Sequence, residues 1–331
     1  MVMKNTLEAM PDVVMRRILK DCNYADCQSL RKSCSRLRGL VDLIKPDPMI
    51  KEITCTLSDS TVEMHLTFSD GQSANIEYGN DKGGCAIAST DEEGDIKCCQ
   101  FIKNTQIVSV FGQDFQILKD SLTHQPRRLE ELKISIGGDD LTVFRDTIGV
   151  TLTEQSPLLR VKQLVMVSND PRLFTSMLPY VSRETLINLE MRASEPSDVR
   201  LNLEEIAASA HWTSLEFVGV RNFRIDDLTH FINVSCSTFR SRLSPEQAIQ
   251  LKEGFQNSPE FGVCLINLEN CDDLIPALRA LVPDVTNEIR GACWHFRTAR
   301  PEKLIRLFTT YHQLCFNIVD IAEADGDIIR E

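Results

Sequence analysis

The sequence predicts an α/β chain in three parts: a small helical segment, a β-rich hairpin segment, and an irregular α/β solenoid of leucine-rich-repeat-like units. Three observations predict it. Apolar residues recur at helical spacing within the first fifty positions, and they alternate with polar ones between residues 50 and 78. Beyond residue 114, short strand-like units recur between helical runs. A chain of 331 residues, 42% apolar and 25% charged, has the composition of a globular protein and length enough for two domains or one elongated one. The expected divisions are 1–47, 48–113 and 114–331.

In the first segment Pro11 suits the first position of a helix, where its missing N–H costs nothing, and Asp12 favours the positive end of the helix dipole. Val14, Met15, Ile18 and Leu19 follow at helical spacing, with Arg16, Arg17 and Lys20 opposite. Asn23 and Tyr24 interrupt the pattern. Asp26 is the expected N-cap of a second helix closing near Gly39, on which Leu30, Cys34, Leu37 and Val41 form one stripe. Helices this short bury little surface alone. Leu7, Met10 and Pro11 add to the first helix more apolar surface than one neighbour covers. That excess either packs on the rest of the chain or meets another protein. Charge bears on the choice: residues 1–50 hold nine basic and six acidic side chains, 9 − 6 = +3, so the remainder carries −15 of the net −12. A basic head on an acidic body suits an acidic partner, and the overall sign argues against nucleic acid as a direct ligand.

Met10, Pro11, Val14, Met15, Ile18 and Leu19, followed by Asp26, Leu30, Arg31, Cys34, Leu37 and Arg38, stand where the F-box pattern L-P-x-x-[VL]-[LM]-x-x-I-L…D-L-x-x-[LA]-R-x-V-C-x-x-[LW]-R has its marked positions. Val13, Cys27 and Ser33 depart from it. Over about 35 residues the segment resembles an F-box, a far more specific match than a four-residue motif gives. The resemblance implies binding to an acidic Skp-type adaptor, and through it to a cullin–RING ubiquitin ligase, by Met10, Pro11, Val14, Met15, Ile18, Leu19, Leu30, Cys34 and Leu37.

After a short linker (residues 45–48, KPDP) the period changes. Residues 50–57, 62–68 and 74–78 read as strands, with Asp70 and Gly71 making a hairpin turn. Residues 79–84 and the acidic 91–95 read as loops, 85–87 and 97–101 as weaker strands, and 107–111 as one more strand. From residue 114 helical runs are expected at 115–122, 143–152, 171–181, 203–210 and 226–232. Between them fall units of one shape: 131–136 (ELKISI), 163–168 (QLVMVS), 188–193 (NLEMRA) and 214–219 (SLEFVG). Their leucines Leu132, Leu164, Leu189 and Leu215 are 32, 25 and 26 residues apart, and a strand-plus-helix period near 25 is what leucine-rich solenoids show. Further strands are expected at 262–268, 290–297 and 314–321, and helices at 245–255, 274–281 and 301–309.

Residues 115–122 (FQILKDSL), 129–134 (LEELKI), 186–190 (LINLE) and 212–217 (WTSLEF) make this region similar to the FTH domain, which follows an F-box in a large family expanded in nematodes. The likeness runs over 114–270 and implies a protein-binding domain. If the four units lie side by side as parallel strands, alternation turns the leucines inward. Lys133, Ser135, Val165, Val167, Glu190, Arg192, Glu216 and Val218 then line the opposite face, the usual binding surface of a solenoid.

Nothing in the chain carries catalytic spacing. The phosphate-loop, dinucleotide-loop, zinc-protease and nucleophile-elbow motifs are all missing, and the six histidines are scattered. The twelve cysteines lack metal spacing and read as reduced thiols. No cofactor and no metal are expected. No stretch reaches the roughly 18–20 apolar residues of a membrane span, and Glu8 and Asp12 interrupt any leader-like run at the start. Cytosol or nucleus is the expected location. The leading reading is a non-catalytic substrate adaptor of a Skp–cullin–F-box ligase that holds a target protein. The alternative is an interaction module acting outside any ligase.

Overall fold

A computed structural model describes residues 7, 10–58, 60–81, 83–90, 96–137, 157–195, 199–225, 227–269, 274, 276, 286–288, 291–310, 312–324, 329 and 330. The chain divides into two compact units, Met1–Gln163 with Pro179–Thr185, and Leu164–Leu178 with Leu186–Glu331. The expected helix at 143–152 and acidic loop at 91–95 lie outside the described residues, as does nearly all of 274–281.

The first unit opens with three helices, α1 (Asp12–Lys20), α2 (Tyr24–Ser33) and α3 (Ser35–Ile44). The N-cap of α2 is Asn23, and Asp26 stands at its third position. Asn23 Oδ1 accepts from Asp26 N–H, and the Asp26 carboxylate accepts from Asn23 N–H, a reciprocal capping box. The expected single second helix is two, because Cys34 is extended (φ −158°, ψ 164°) and caps α3, its Sγ accepting from Leu37 N–H at 3.4 Å. Gly39 therefore lies inside α3, which ends at a left-handed Lys45 (φ 48°).

Five strands follow, β1 (Ile50–Leu57), β2 (Thr61–Phe68), β3 (Ser73–Asp81), β4 (Gly84–Thr90) and β5 (Ile96–Lys103), then α4 (Ile107–Leu122) and β6 (Leu129–Ile136). Their order is β6-β1-β2-β3-β4-β5, with β1 parallel to β6 and the rest an antiparallel meander. In β2, Val62, Met64, Leu66 and Phe68 are buried, as strict alternation predicts for a sheet covered on one face. At the β2–β3 turn Gly71 adopts φ +90°, and Asp70 Oδ1 accepts from Gln72 N–H. Residues 79–81 and 84 belong to strands rather than to a loop.

The expected strand at 107–111 is the first half of α4. The run IVSVF is short and β-branched, so periodicity alone does not separate strand from helix there. The longer stripe decides it: Ile107, Val110, Phe111, Phe115 and Leu118 share one helical face and are buried, with α4 packed across β2, β3 and β4. At that contact Tyr78 meets Phe111 edge-on at 5.8 Å, and its hydroxyl donates to Asp114 Oδ2 at 2.9 Å. Burial pushes the Asp114 carboxyl above its ordinary value of 3.8, opposed by the Tyr78 hydrogen bond and by Lys32. A raised folded-state value means the folded chain holds that proton more tightly, so the ionised form penalises folding above the shifted value and the penalty is gone below 3.8. Asp114→Asn is expected to be more stable than the parent at neutral pH. That advantage should shrink on acidification and vanish below about pH 4, as urea denaturation across a pH series would show.

Val161–Val167 (β7) spans the division between the units. The second unit then holds α5 (Arg172–Met177), β8 (Asn188–Arg192), α6 (Glu204–Ala207), β9 (Phe217–Arg221), β10 (Cys236–Ser241), α7 (Pro245–Asn257) and β11 (Val263–Leu268). It closes with β12 (Thr286–Glu288), β13 (Gly291–Arg297), β14 (Lys303–Thr309), β15 (Gln313–Asp320) and β16 (Ile329–Arg330). Strands β8, β9, β10 and β11 run parallel in that order, and β15, β14 and β13 continue the sheet antiparallel. The helix expected at 301–309 is thus β14. Leu304, Leu307 and Phe308 fit helical spacing equally well, but pairing with strands on both sides captures the segment. The helices expected at 203–210 and 226–232 are shorter, a four-residue α6 and a 3₁₀ turn at Thr229–Asn233. Helix α7 forms where it should: Ser244 and Gln247 make a capping box, and Pro245 occupies the first turn.

Candidate functional site

The helical head has its own small core. Met15, Leu37 and Leu40 are buried together, with Met10, Ile18, Leu30 and Cys34 half-buried against them. Leu19, Cys27 and Val41 form a second cluster. Of the nine residues expected to meet an adaptor, Met15, Leu19 and Leu37 are therefore interior, while Pro11 and Val14 face outward. Val14 is 44% exposed, Val13 79%, and Leu43 of α3 68%. Val13, a departure from the pattern, and Leu43, outside it, are the two positions that the sequence reading missed. Their signal was there: neither fits the Met15–Leu19 stripe, so a folded head leaves both outside.

Charge surrounds the exposed valines of α1. Arg16, Arg17 and Lys20 are exposed on α1, and Arg17 lies one helical turn from both Val13 and Val14. The arginines of α2 and α3 do a different job. Arg36 Nη2 donates to Met10 O (2.8 Å) and to Asp12 Oδ1 (3.1 Å), tying α3 to the start of α1. Arg31 pairs with Asp42 at 2.8 Å, and Arg38 Nε donates to Arg31 O at 3.2 Å.

The second expected surface is rearranged. In the first unit Lys133 and Ser135 are half-buried between Leu132, Ile134 and Ile136, which are buried, so β6 alternates as expected. In the second unit Val165 is buried between Leu164 and Met166, because that stretch of β7 is covered on both faces; Val167 is half-buried. Glu216 is exposed but precedes its strand. Val218, expected on the open face, is fully buried. Leu215 ends a 3₁₀ turn (Trp212–Ser214), so β9 starts two residues later and Val218 and Val220 pack inward beside Leu189 and Met191. A shift of one residue exchanges the two faces of a strand. Phe217, Gly219 and Arg221 take the outer side.

Glu190 is on the expected face yet buried, because Arg192 Nη2 (2.5 Å) and Arg221 Nε (2.9 Å) close over its carboxylate. It positions arginines rather than offering itself. Gly219, its partner across the ladder, leaves the space: a Cβ there would lie 3.1 Å from Glu190 Cγ. Arg221 was missed, although the alternating run Val218, Gly219, Val220, Arg221 names it once the register is right.

Among the described residues no group of three or more His, Cys, Asp or Glu is arranged to hold a metal. Burial pushes the thiols of Cys27 and Cys55 up to about 12, which keeps them protonated and unreactive at neutral pH. Among the described residues no helix is long and apolar enough to cross a membrane.

The FTH domain family matches residues 142–284. The matched segment contains 186–190 and 212–217 of the residues that carried the likeness in sequence, while 115–122 and 129–134 precede it. It begins and ends later than the 114–270 expected. No curated protein and no solved structure matches the chain.

Proposed function

We propose that this chain is a non-catalytic adaptor: its helical head docks on an acidic Skp-type protein of a cullin–RING ubiquitin ligase, and its FTH-bearing part holds a target protein. The single observation that carries the reading is the open patch of Pro11, Val13 and Val14, rimmed by Arg16, Arg17 and Lys20, on a head whose core is already filled by other side chains. Exposed valines beside exposed cations suit a partner that is apolar at the centre of contact and acidic at its rim. The parallel run β8–β11 with its short helical connections is read as a leucine-rich-repeat-like array, a type of scaffold that presents binding surfaces. Fixing a target beside the ligase raises the effective concentration of its lysines, so the adaptor needs no bond chemistry, cofactor or metal of its own. Such a complex works in cytosol or nucleus.

Val13→Asp with Val14→Asp tests the docking step. Both side chains are substantially solvent-exposed, so the variant is expected to keep its circular dichroism and elution volume while its affinity for a Skp-type adaptor falls by at least tenfold. Unchanged adaptor binding would contradict the reading. A second reading, an interaction module outside any ligase, is favoured by the family match lying wholly beyond the head. A target that stays bound yet keeps its half-life when the ligase is active would select it.

A further inference from the structure

The sheet of the second unit has two unlike faces. Leu189, Met191, Val218, Val220, Phe239 and Ile266 are all buried on one of them. The other is half open, and the ladders say what stands on it. Asn188, Phe217, Cys236 and Val263 are in register across β8–β11, and the next row on that face runs Glu190, Gly219, Thr238 and Leu265. The third row is Arg192 beside Arg221, with Arg240 beside Asn267. Neighbouring strands lie about 4.8 Å apart, so three guanidinium groups line the C-terminal ends of three successive parallel strands. Alongside them run half-exposed apolar side chains, Phe217, Val263 and Leu265, and on β14 Phe308 lies under the Arg306 guanidinium at 5.4 Å.

The charge of this face opposes that of the chain. Four arginines (192, 221, 240 and 306) stand against two carboxylates, Glu190 and Glu269, on a protein of net charge −12. Glu190 is consumed between Arg192 and Arg221, and Glu269 holds Arg240 at 3.1 Å, so Arg192, Arg221 and Arg240 are aimed by carboxylates rather than left to sweep through solvent. Arg221 and Arg240 still expose 57% and 44% of their side chains. Asn267 and Gln313 extend the row with neutral donors and acceptors, Gln313 Nε2 donating to Asn267 Oδ1 (3.1 Å), while in the row of Val263 Arg306 Nε donates to Asn317 Oδ1 (3.3 Å).

We propose that this face is the target-binding surface and that its occupant is an acidic, partly apolar extended segment of another protein, carboxylates on the arginine row and apolar side chains on the Phe217–Leu265 strip. The inference deepens the adaptor reading by naming the class of target, and rests on it for the role of the bound protein. Planar guanidinium groups held in a row pair with carboxylates in fixed geometry, and the apolar strip supplies the area that charge alone does not.

The test uses the full chain and a fluorescein-labelled twelve-residue peptide of alternating glutamate and valine, read by anisotropy. Lysine–valine and glycine–serine peptides of the same length are the controls. The acidic peptide is expected to bind at least tenfold more tightly than either control and to weaken as salt rises. Arg221→Gln with Arg240→Gln is expected to cost at least tenfold, while Val13→Asp with Val14→Asp leaves peptide binding unchanged. Equal binding of acidic and basic peptides, no binding of any, an unaffected arginine variant, or tighter binding of a single-stranded oligonucleotide to the same arginines would each overturn the proposal. A parent chain that binds the peptide but no Skp-type adaptor sinks the docking reading alone, and one that binds the adaptor but no peptide sinks this one alone.

Discussion

Phe255→Ala is expected to destabilise the second unit by about 3–5 kcal/mol, the usual loss for emptying a buried phenylalanine site. Phe255 stacks on Phe261 with ring centroids 3.9 Å apart and meets Phe316 of β15 at 5.2 Å and 61°. It completes the stripe Ala248, Leu251, Phe255 that buries α7. Removing the ring takes away both aromatic contacts and opens a void that rigid strands cannot close. Both tryptophans, Trp212 and Trp294, lie in this unit, so tryptophan fluorescence in a urea titration reads it directly. Phe255→Leu retains most of the volume and should lose far less. A midpoint unmoved by the alanine variant would mean that α7 is not seated on the sheet.

The second large effect is expected at Gln125. Its Oε1 accepts from Ile50 N–H at 3.0 Å, and its Nε2 donates to Ile50 O at 2.8 Å and to Arg127 O at 3.0 Å. The side-chain amide thus stands in for a neighbouring peptide group where β1 begins, and it is buried. Gln125→Ala leaves three backbone groups to find other partners. At about 1–3 kcal/mol for each buried group left unsatisfied the three sum to about 3–9 kcal/mol, and a loss in the lower half of that range, about 3–5 kcal/mol, is expected because Arg127 O is only part-buried. Gln125→Glu does not rescue it, because a carboxylate cannot donate to two carbonyls. Amide hydrogen exchange at Ile50 should accelerate along with the loss of stability. An unchanged exchange rate would show that water replaces the amide without penalty.

Sequence periodicity located most of the strands, and it did so because most of them have one covered face. The hairpins of 50–78 and the units at 131 and 188 follow from alternation, while the unit at 163, buried at Leu164, Val165 and Met166 alike, follows from its apolar run. It failed where two periods coexist in a short run. Residues 107–111 and 301–309 satisfy both templates, and only their neighbours in space decide. The head was legible as helices with an apolar excess, but not the division of labour inside it. Met15 and Leu19 are spent on the core, and Val13, which breaks the pattern, is the most open apolar residue of α1. On the sheet, Glu190 and Arg192 were placed on the right side, while Val218 was not. A 3₁₀ turn at Trp212 delays β9, and no local signal in 214–219 announces that delay.

The parallel pairing of β1 with β6, from Glu52 with Glu131 to Leu57 with Ile136, also fixes an order of assembly. Each hairpin of the β2–β5 meander joins neighbours along the chain and closes a short loop, so it can zip as soon as it leaves the ribosome. β1 must wait for a partner synthesised after the whole meander and α4. Until residue 136 emerges, one edge of β1 stays an unpaired template, and nascent chains stalled short of that point carry the greatest risk of joining one another.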